Sequence, residues 1–436
     1  MYFAGKSPPA PAWPGGDDLP VDDVRSEDSE LLMLRRKDRA SEGGVPRVSR
    51  RAECSGLVGR TQRAYSHGMK MAPSSPSPLA IGSASEAGTQ RYRTRFAERF
   101  APDHFRLLAG DLTASSIGAG TYLGECDDTD DGRYARTIRQ ALGKGINVLD
   151  TAINYRCQRS ERALGLALRE AIAGDEVARD EVIVCTKGGY LPLDATPPGS
   201  RAEYKAYVQR EFVDTGIIAP GELVVEGHCI APAYLDNQID RSRDNLGVRT
   251  IDIYYVHNPE QQLDAIAPTE FQHRIRRAFE ALEQRVAAGD ISSYGCATWQ
   301  GFRVEPTSRG YLSLADLVGL ARSVAGDAHH FSTVQLPINL GMTEAIRSPN
   351  QCLPGSRWVS LVEAASELGI GVVASATLLQ SRLASGLPQP VRDAFPDQAS
   401  DAARAIAFVR AIPGVSTALV GMKSESHLEE NLAAAF

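Results

Sequence analysis

Eight short apolar segments that alternate with amphipathic helical segments limit the fold of this sequence more than any other feature. The alternation runs from about residue 105 to residue 436, and its first apolar segment is SSIGAG, residues 115–120. The later ones are GINVLD, EVIVCTK, IDIYYVH, ISSYGCA, FSTVQLPIN, GIGVVASA and STALVGM. Doubly wound α/β sheets share such an alternation, but eight successive units favour a (β/α)8 barrel, the TIM-barrel architecture.

Two segments depart from this regular pattern. Ahead of the first strand, FRLLAGDLTAS has two short apolar runs around a Gly-Asp turn, which predicts an N-terminal β-hairpin that closes the bottom of the barrel. An insertion at about 188–230 separates the third strand from its helix by far more residues than an ordinary connection. Because the insertion leaves the C-terminal end of a strand, we expect it to lie over the face where barrel enzymes hold their sites.

Residues 1–95 differ in composition from the rest of the chain. They contain the run SPPAPAWPGG, an acidic patch, an Arg-rich stretch and the run APSSPSPLAIGSASEAG. This composition predicts a disordered N-terminal leader, because it buries too little apolar surface to offset the entropy lost on ordering. Two alternatives stay open: a targeting sequence, against which the interleaved Asp and Glu argue, and a translation start at Met69 or Met71.

Charge, hydropathy and cysteine usage exclude several classes of protein. The formal net charge of -7 favours neither nucleic acid nor an anionic membrane as a partner. No apolar run approaches the roughly 20 residues that span a bilayer, and the N-terminus lacks the apolar centre of a secretory signal. We therefore expect a cytoplasmic protein. Its seven scattered cysteines predict reduced thiols rather than a disulfide framework or a metal site.

Polar residues stand at the ends of three consecutive predicted strands. Asp150 ends GINVLD, Lys187 ends EVIVCTK and His257 ends IDIYYVH, while Tyr155 lies in the loop after Asp150. The C-terminal ends of barrel strands point to one face, so these four side chains can converge there. Each also has a purely structural explanation when taken alone: a turn cap for Asp150, a solvated side chain for Lys187 and a core hydrogen bond for His257.

Together the four side chains suit the delivery of a proton. A phenol titrates near pH ~10, and a nearby ammonium group favours the phenolate and lowers that pKa. We expect Lys187 to act in this way on Tyr155, with Asp150 holding the ammonium group in place. His257 would orient a substrate carbonyl oxygen. Acyl transfer and two-carboxylate glycoside hydrolysis are poorly served, because the set contains one carboxylate and no good nucleophile.

Residues 105–436 resemble the aldo-keto reductases. The motifs that carry the resemblance follow the family's order: GAGTYLG, VLDTAINY, VIVCTKGG, IDIYYVHNP, SYGCATW, TVQLPIN and IPGVSTALVGMKSESHLEEN. The resemblance implies a (β/α)8 barrel that binds NADP or NAD in extended form and transfers hydride reversibly between the nicotinamide and an aldehyde or ketone. It also implies a catalytic tetrad, with Tyr155 as proton donor, that consists of Asp150, Tyr155, Lys187 and His257.

The resemblance assigns further residues to the cofactor. Near the nicotinamide it places Gly120, Thr121, Tyr122, Thr298, Gln335 and Ser375. Leu378 falls at the phosphate loop without the family's usual Pro-Leu-Gly pattern, and the adenine end matches at Gly421, Lys423, Ser424, Glu430 and Asn431. The chain departs from the family at Ala297-Thr298, where Ser-Asn is usual, and at Ser375, where an aromatic residue is usual.

The choice between NADPH and NADH stays open. His427 stands where many NADPH-preferring members place an arginine, and a neutral histidine would hold the 2'-phosphate less firmly. Two other functions also stay open: a cofactor-sensing subunit with slow turnover, and a sugar or polyol dehydrogenase.

For each of these possible functions, the expected partner is a small carbonyl or alcohol substrate. We expect it to enter between the insertion and the loops at 299–311 and 341–357. Tyr190, Trp299 and Trp358 are candidates for an apolar wall, although each also suits packing within its own loop. The sequence does not define the oligomeric state.

Overall fold

The computed structural model describes residues 79–224 and 227–436. The strands of this part of the chain are β1 (Phe105–Leu107), β2 (Thr113–Ser115), β3 (Ile117–Gly120), β4 (Val148–Asp150), β5 (Ile183–Gly188), β6 (Ile251–His257), β7 (Ile291–Ala297), β8 (Phe331–Pro337), β9 (Gln351–Leu353), β10 (Arg357–Val359), β11 (Gly371–Ser375) and β12 (Val415–Gly421). Strands β3 to β8, β11 and β12 are parallel and close into a barrel in chain order. The predicted (β/α)8 barrel is therefore confirmed.

Helices surround the barrel and also occur outside it. They are α1 (Glu86–Phe96), α2 (Asp128–Leu142), α3 (Arg159–Ala173), α4 (Arg201–Val208), α5 (Pro232–Leu246), α6 (Pro268–Ala287), α7 (Leu314–Ala325), α8 (Glu344–Arg347), α9 (Leu361–Leu368), α10 (Gln389–Ala394), α11 (Asp401–Arg410) and α12 (Glu425–Ala433). Within the described ranges, no helix combines the length and the apolar character needed to cross a membrane.

Several helices begin where a polar side chain caps the first turn. The capping oxygen accepts the backbone N–H three residues further along, which satisfies a donor that has no partner within the helix. The residues that cap in this way are Ser85, Asp127, Ser200, Ser313, Ser360, Ser400 and Ser424. These short polar residues therefore fix where the sequence changes from loop to helix.

Side chains along the barrel strands alternate between the barrel interior and the helix layer. Ile183 and Cys185 of β5 pack in one interior cluster with Tyr255 of β6. Val184, which lies between Ile183 and Cys185, and Tyr254, which precedes Tyr255, pack in the cluster shared with the surrounding helices. Both faces are buried, as expected for a parallel sheet covered by helices.

The predicted hairpin is present at the bottom of the barrel. Strands β1 and β2 pair antiparallel, with Phe105 opposite Ser115. Leu108 and Ala114, which flank the turn, pack in the interior cluster of the barrel. The hairpin thus closes the end of the barrel that lies at the N-terminal ends of the strands.

Helix α1 corrects the predicted extent of the disordered leader. It occupies residues 86–96, and its Tyr92 is fully buried. The Tyr92 hydroxyl oxygen lies 2.6 Å from the carbonyl oxygen of Leu142 and 3.0 Å from that of Ile146. Average composition misses this helix because a few long-range contacts hold it. The rest of the predicted leader, residues 1–78, lies outside the described residues, and so do Met69 and Met71.

A short hairpin was not predicted from the sequence. Strands β9 and β10 pair antiparallel, with Arg357 opposite Leu353. The helix that follows this hairpin, α9, begins at Leu361. Pairing with β9 takes Trp358 and Val359 into a strand, and Ser360 then caps the helix.

The insertion after β5 forms a small core of its own beside the barrel. It includes α4 and a π-helical turn at Gln209–Val213. The apolar side chains that pack together here are Leu191, Val208, Phe212, Ile218, Cys229 and Tyr234. Tyr234 belongs to α5, so this core fastens the insertion to the helix that follows it.

Candidate active site

Three barrel strands present polar side chains at their C-terminal ends. Lys187 stands two residues beyond Cys185, and His257 stands two residues beyond Tyr255, so the alternation that buries Cys185 and Tyr255 inside the barrel also turns Lys187 and His257 inward. Asp150 ends β4 in the same way. All three side chains are buried.

Lys187 and Asp150 form a buried ion pair. The Nζ of Lys187 donates to Oδ1 of Asp150 at 2.5 Å and to the carbonyl oxygen of Thr151 at 2.7 Å. The Nε2 of Gln335 donates to the second carboxylate oxygen of Asp150 at 2.8 Å. Burial raises the pKa of Asp150, and the Lys187 ammonium and the Gln335 amide oppose that rise. Both carboxylate oxygens are thus satisfied by partners from other strands.

Tyr155 lies beside this pair in the loop after β4. The Nζ of Lys187 is 5.1 Å from the centroid of the Tyr155 ring. The His257 ring packs edge-on against it with 5.9 Å between centroids, and the Tyr122 ring does so at 5.0 Å. The structure therefore brings together all four residues of the predicted tetrad around the Tyr155 ring.

His257 is held in its neutral form. Burial lowers its pKa far below the usual range, and the positive charge of Lys187 acts in the same direction. His228 lies behind His257, with its Nε2 2.7 Å from the His257 carbonyl oxygen. The Nδ1 of His228 is 2.8 Å from the Nε2 of Gln262. Because an amide nitrogen donates, His228 accepts at Nδ1 and carries its proton at Nε2, which donates to the His257 carbonyl.

A cleft opens above these side chains at the C-terminal end of the barrel. Among its lining residues are three of the tetrad, Asp150, Tyr155 and His257, whereas Lys187 lies beneath the cleft floor. Eight of the residues that the sequence assigned to a cofactor also line it: Gly120, Thr121, Tyr122, Thr298, Gln335, Ser375, Leu378 and Gly421. The two predicted groups of residues thus share one cavity.

The remaining predicted cofactor residues do not line this cleft. Lys423, Ser424, Glu430 and Asn431 follow β12, at and within α12. Ser424 caps this helix, with its Oγ 3.3 Å from the N of His427. These residues therefore lie next along the chain from Gly421, the last lining residue of the cleft.

Lys423 is already paired with a carboxylate. Its Nζ lies 3.0 Å from Oδ2 of Asp130, which is buried on α2. Burial raises the pKa of Asp130, but the backbone N–H of Glu125 and the ammonium of Lys423 outweigh it and lower the pKa to about 2. Asp130 is therefore ionised at neutral pH and offsets the positive charge of Lys423.

Two of the three predicted wall residues face the cleft. Tyr190 and Trp299 line it. Trp358 does not, because it lies on β10 with 47% of its surface exposed. Residues 341–357 contribute nothing to the lining, and the loop after β11 contributes instead. The predicted entrance is corrected in this respect.

Sequence reasoning missed several polar lining residues, among them Asn154, Asn258 and Gln261. Asn258 follows His257 directly, with a left-handed backbone (φ 45°), and its Nδ2 donates to the Tyr190 hydroxyl at 2.8 Å. The strand-end rule that found His257 would have found Asn258 if it had been extended by one residue.

Of the loop after β11, which forms one wall of the cleft, the sequence analysis identified only Leu378. Ala376, Leu379, Gln380 and Ser381 have positive φ angles of 52°, 44°, 52° and 70°. Non-glycine residues rarely adopt this conformation, and such residues cluster at ligand sites. The lining includes Thr377 and Gln380. The sequence gives little warning, because glycine, the usual residue for such angles, is absent from 376–381.

One buried carboxylate fixes the loop that carries Trp299. The Oε1 of Glu260 accepts the backbone N–H of Trp299 at 2.7 Å, of Gln300 at 3.0 Å and of Gly301 at 3.3 Å. Burial raises the pKa of Glu260, and these donors oppose the rise. A wall of the cleft thus depends on a residue that does not line it.

Comparison with known proteins agrees with this architecture. Residues 116–305 match the sequence model of the aldo/keto reductase family. D-threo-aldose 1-dehydrogenase from a Pseudomonas species is 27% identical over 176 residues, which cover 38% of this chain and 44% of that protein. The matched region therefore spans less than half of that relative.

Solved structures show the same fold over a longer stretch. The holo form of an aldo-keto reductase from Bacillus halodurans is 20% identical, with a TM-score of 0.51 over 76% of this chain and 90% of its own. An aldo/keto reductase from Klebsiella pneumoniae, in complex with NADP and acetate, is 19% identical, with a TM-score of 0.50 over 76% and 89% of the two chains. Residues 116–305 of the described barrel thus match the sequence model of the aldo/keto reductase family, and the barrel as a whole shares the fold of these solved structures.

Proposed function

We propose that this protein is an NAD(P)H-dependent oxidoreductase that reduces aldehydes or ketones to alcohols reversibly, with Tyr155 as proton donor. The observation that carries the proposal is the arrangement around the Tyr155 ring. The Nζ of Lys187 lies 5.1 Å from the ring centroid, and the His257 ring lies 5.9 Å from it. Tyr155 and His257 line an open cleft, and Lys187 lies beneath its floor. A small carbonyl compound in this cleft would have its oxygen beside the phenol.

The cleft also offers groups that suit a nicotinamide cofactor. The Oγ1 of Thr298 is buried without a hydrogen-bond partner among the described residues, as is the Nδ1 of His257. Unsatisfied polar atoms in a cleft are the groups that a polar ligand would satisfy. Gln335 and Ser375 line the same cleft. When bound, the cofactor would supply or accept the hydride.

The side chains around the carbonyl oxygen would carry the proton. In the direction of reduction the Tyr155 hydroxyl gives its proton to the carbonyl oxygen, and the Lys187 ammonium stabilises the phenolate that remains. Asp150 keeps that ammonium in place through the 2.5 Å ion pair. Neutral His257 orients the oxygen without competing as an acid. In the reverse direction the phenolate accepts the proton of the alcohol.

We propose that either NADH or NADPH serves as the cofactor. The charge of Lys423 is offset by Asp130 at 3.0 Å, and His427 is exposed. Neither residue provides the planar guanidinium group that grips a phosphate with two hydrogen bonds. We therefore propose that this chain does not depend on the 2'-phosphate for binding. A cytoplasmic location is part of the same proposal.

One specific observation favours sugars among the substrates. Asn154, Asn258 and Gln261 line the cleft together with Tyr190, and uncharged amide and hydroxyl groups suit the hydroxyls of a neutral polyol. The Pseudomonas relative, at 27% identity, is an aldose dehydrogenase by name. Oxidation of aldoses or polyols is therefore the second candidate function on the same site.

Fluorescence titration with NADPH and NADH, followed by rate measurements on aldehydes, ketones and aldoses, tests the proposal. We expect at least one cofactor to bind and at least one carbonyl to turn over. Tight cofactor binding without turnover of any substrate in the panel would contradict the reductase and favour a cofactor-sensing subunit. Faster oxidation of aldoses than reduction of carbonyls would favour the dehydrogenase.

A further inference from the structure

Two thiols lie next to each other in the loops after β3 and β4, which also carry the cleft residues Leu123 and Tyr155. The Sγ of Cys126 is 3.5 Å from the Sγ of Cys157. The two residues come from separate loops, because Cys126 lies between β3 and α2 and Cys157 lies between β4 and α3. Bonded sulfurs are about 2.05 Å apart, so a disulfide requires the two atoms to approach by only about 1.5 Å.

Other contacts already hold these two loops together. The Nε of Arg156 donates to the carbonyl oxygen of Glu125 at 2.8 Å, and its Nη2 pairs with Asp131 at 2.5 Å. The Arg156 side chain is 1% exposed. Since Arg156 precedes Cys157 and Glu125 precedes Cys126, these bonds keep the two thiols in register.

The backbone at Cys157 is held in an unusual conformation. Arg156, Cys157 and Gln158 have positive φ angles of 49°, 55° and 67° in succession. Each such angle is costly for a residue with a side chain and persists only where surrounding contacts impose it. Gln158 supplies one of these contacts, because its Nε2 donates to the Leu193 carbonyl at 2.9 Å. The position of the Cys157 thiol is therefore set by the fold.

We propose that Cys126 and Cys157 are a site of reversible oxidation, at which a disulfide joins the two loops. The oxidant is a small disulfide such as oxidised glutathione. The thiolate of Cys126, which is partly exposed, attacks one sulfur of the oxidant and releases one thiol. The thiolate of buried Cys157 then attacks the Cys126 sulfur and releases the second thiol. Two protein thiols are oxidised, one small disulfide is reduced, and the two protons of the protein thiols end on the two released thiols.

Oxidation at this site would act on the cleft. Cys157 is two residues beyond Tyr155, and Cys126 is three residues beyond Leu123, which lines the cleft. An approach of the sulfurs by about 1.5 Å must be absorbed by these two loops. Misplacement of a reacting group by about 1 Å can cost as much as 100-fold in rate. This effect on rate rests on the proposed function, whereas formation of the disulfide does not.

Peptide mapping tests the site directly. The full-length protein is incubated with oxidised glutathione, free thiols are blocked, and trypsin digestion under denaturing conditions follows. We expect residues 107–133, which contain Cys126, to be joined to residues 157–159, and dithiothreitol to separate them. Cys126→Ser and Cys157→Ser should each abolish this product. Cys352→Ser is the matched control, because Cys352 is also partly exposed but its Sγ contacts the Leu353 carbonyl.

Three results would overturn the proposal: no joined peptide, joining of either thiol to Cys54 or Cys352 instead, or a glutathione adduct on Cys126 that Cys157 never displaces. Activity gives a second readout. In wild-type protein turnover should fall at least about fivefold on oxidation and return with dithiothreitol, while Cys126→Ser should keep its rate. A joined peptide with unchanged turnover would contradict the effect on Tyr155. Absence of turnover before oxidation would concern the proposed function only.

Discussion

The Nζ of Lys187 and the Oδ1 of Asp150 lie 2.5 Å apart beside the Tyr155 ring, with only 1% and 6% of the two side chains exposed. Removing one partner of a buried ion pair leaves an uncompensated charge, which typically costs about 3–5 kcal/mol. We expect Lys187→Met to lower the free energy of unfolding by about that amount, and the double variant Lys187→Met/Asp150→Asn to recover part of it. Urea unfolding of the wild type, Lys187→Met, Asp150→Asn and the double variant measures the coupling.

A second buried pair serves as the control for this cycle. Arg179 and Asp252 are 2.8 Å apart, with 5% and 0% of their side chains exposed, and they lie away from the cleft. Arg179→Met should also destabilise the protein but should leave turnover per folded molecule unchanged. Equal loss of turnover in Lys187→Met and Arg179→Met would mean that Lys187 acts only through stability.

Tyr155→Phe should remove most of the turnover and leave cofactor affinity nearly intact. The substitution deletes the proposed proton donor, and general acid catalysis contributes roughly 10²–10⁴-fold. The ring contact with Lys187 remains, so the fold of the site should persist. Rates and fluorescence titrations of the variant measure the two effects separately. Turnover at the wild-type rate would exclude Tyr155 as the donor.

Stability should fall as the pH falls from about 6.5 to about 4, partly because of His228. Burial lowers the pKa of His228 from 6.5 to about 4, so the folded state binds this proton less readily than the unfolded state. The contribution is fully present above pH 6.5 and is lost as the pH falls towards 4, for a total of about 3 kcal/mol. Burial of His257 and His104 acts in the same direction.

The variant His228→Gln isolates the part that belongs to one residue. It should reduce the slope of unfolding free energy against pH by about one proton between pH 6.5 and 4, as measured by urea unfolding at a series of pH values. Parallel curves for wild type and variant would show that His228 does not contribute.

Asp130→Asn should raise affinity for NADPH relative to NADH. The substitution removes the negative charge 3.0 Å from the Nζ of Lys423 and keeps an oxygen that can accept the N–H of Glu125. A freed ammonium group would then favour the extra phosphate, and we expect a gain of about fivefold. Asp131→Asn is the matched control, since Asp131 pairs with Arg156 and Arg159. An equal gain in both variants would argue against a specific role of Lys423.

Glu260→Ala and Glu260→Gln should differ in their effect on substrate binding. Glutamine retains an oxygen for the backbone N–H groups of Trp299, Gln300 and Gly301, whereas alanine leaves them unsatisfied at a cost of about 1–3 kcal/mol. We expect a higher KM for the alanine variant and a KM near that of wild type for the glutamine variant. Steady-state kinetics measures both. Similar KM values in all three proteins would show that the loop at Trp299 does not contact the substrate.

The barrel could be predicted because its pattern is local. Each strand is a short apolar run, and each following helix carries its own apolar face, so the repeat is visible without knowledge of contacts. Helix α1 and the β9–β10 hairpin escaped because distant partners define them. The buried hydroxyl of Tyr92, for example, meets carbonyl groups some 50 residues away.

The residues of the candidate site also differ in whether the local sequence predicts them. Asp150, Lys187 and His257 were predicted because each ends an apolar strand segment, and the C-terminal ends of barrel strands point to one face. In the loop at 376–381 only Leu378 was predicted, because the left-handed angles of its neighbours arise from packing and no glycine marks them. The pairing of Lys423 with Asp130 was not found either, since it joins residues nearly 300 positions apart.

The alternation along β5 has a further consequence for how this chain tolerates change. One added or deleted residue between Cys185 and Lys187 would turn the Lys187 side chain from the barrel interior to the helix layer and break its ion pair with Asp150. Length variation should therefore be confined to the loops, as with the long insertion after this strand. Within the strand, a shift by a single position would remove Lys187 from the site and also disrupt the packing of the barrel.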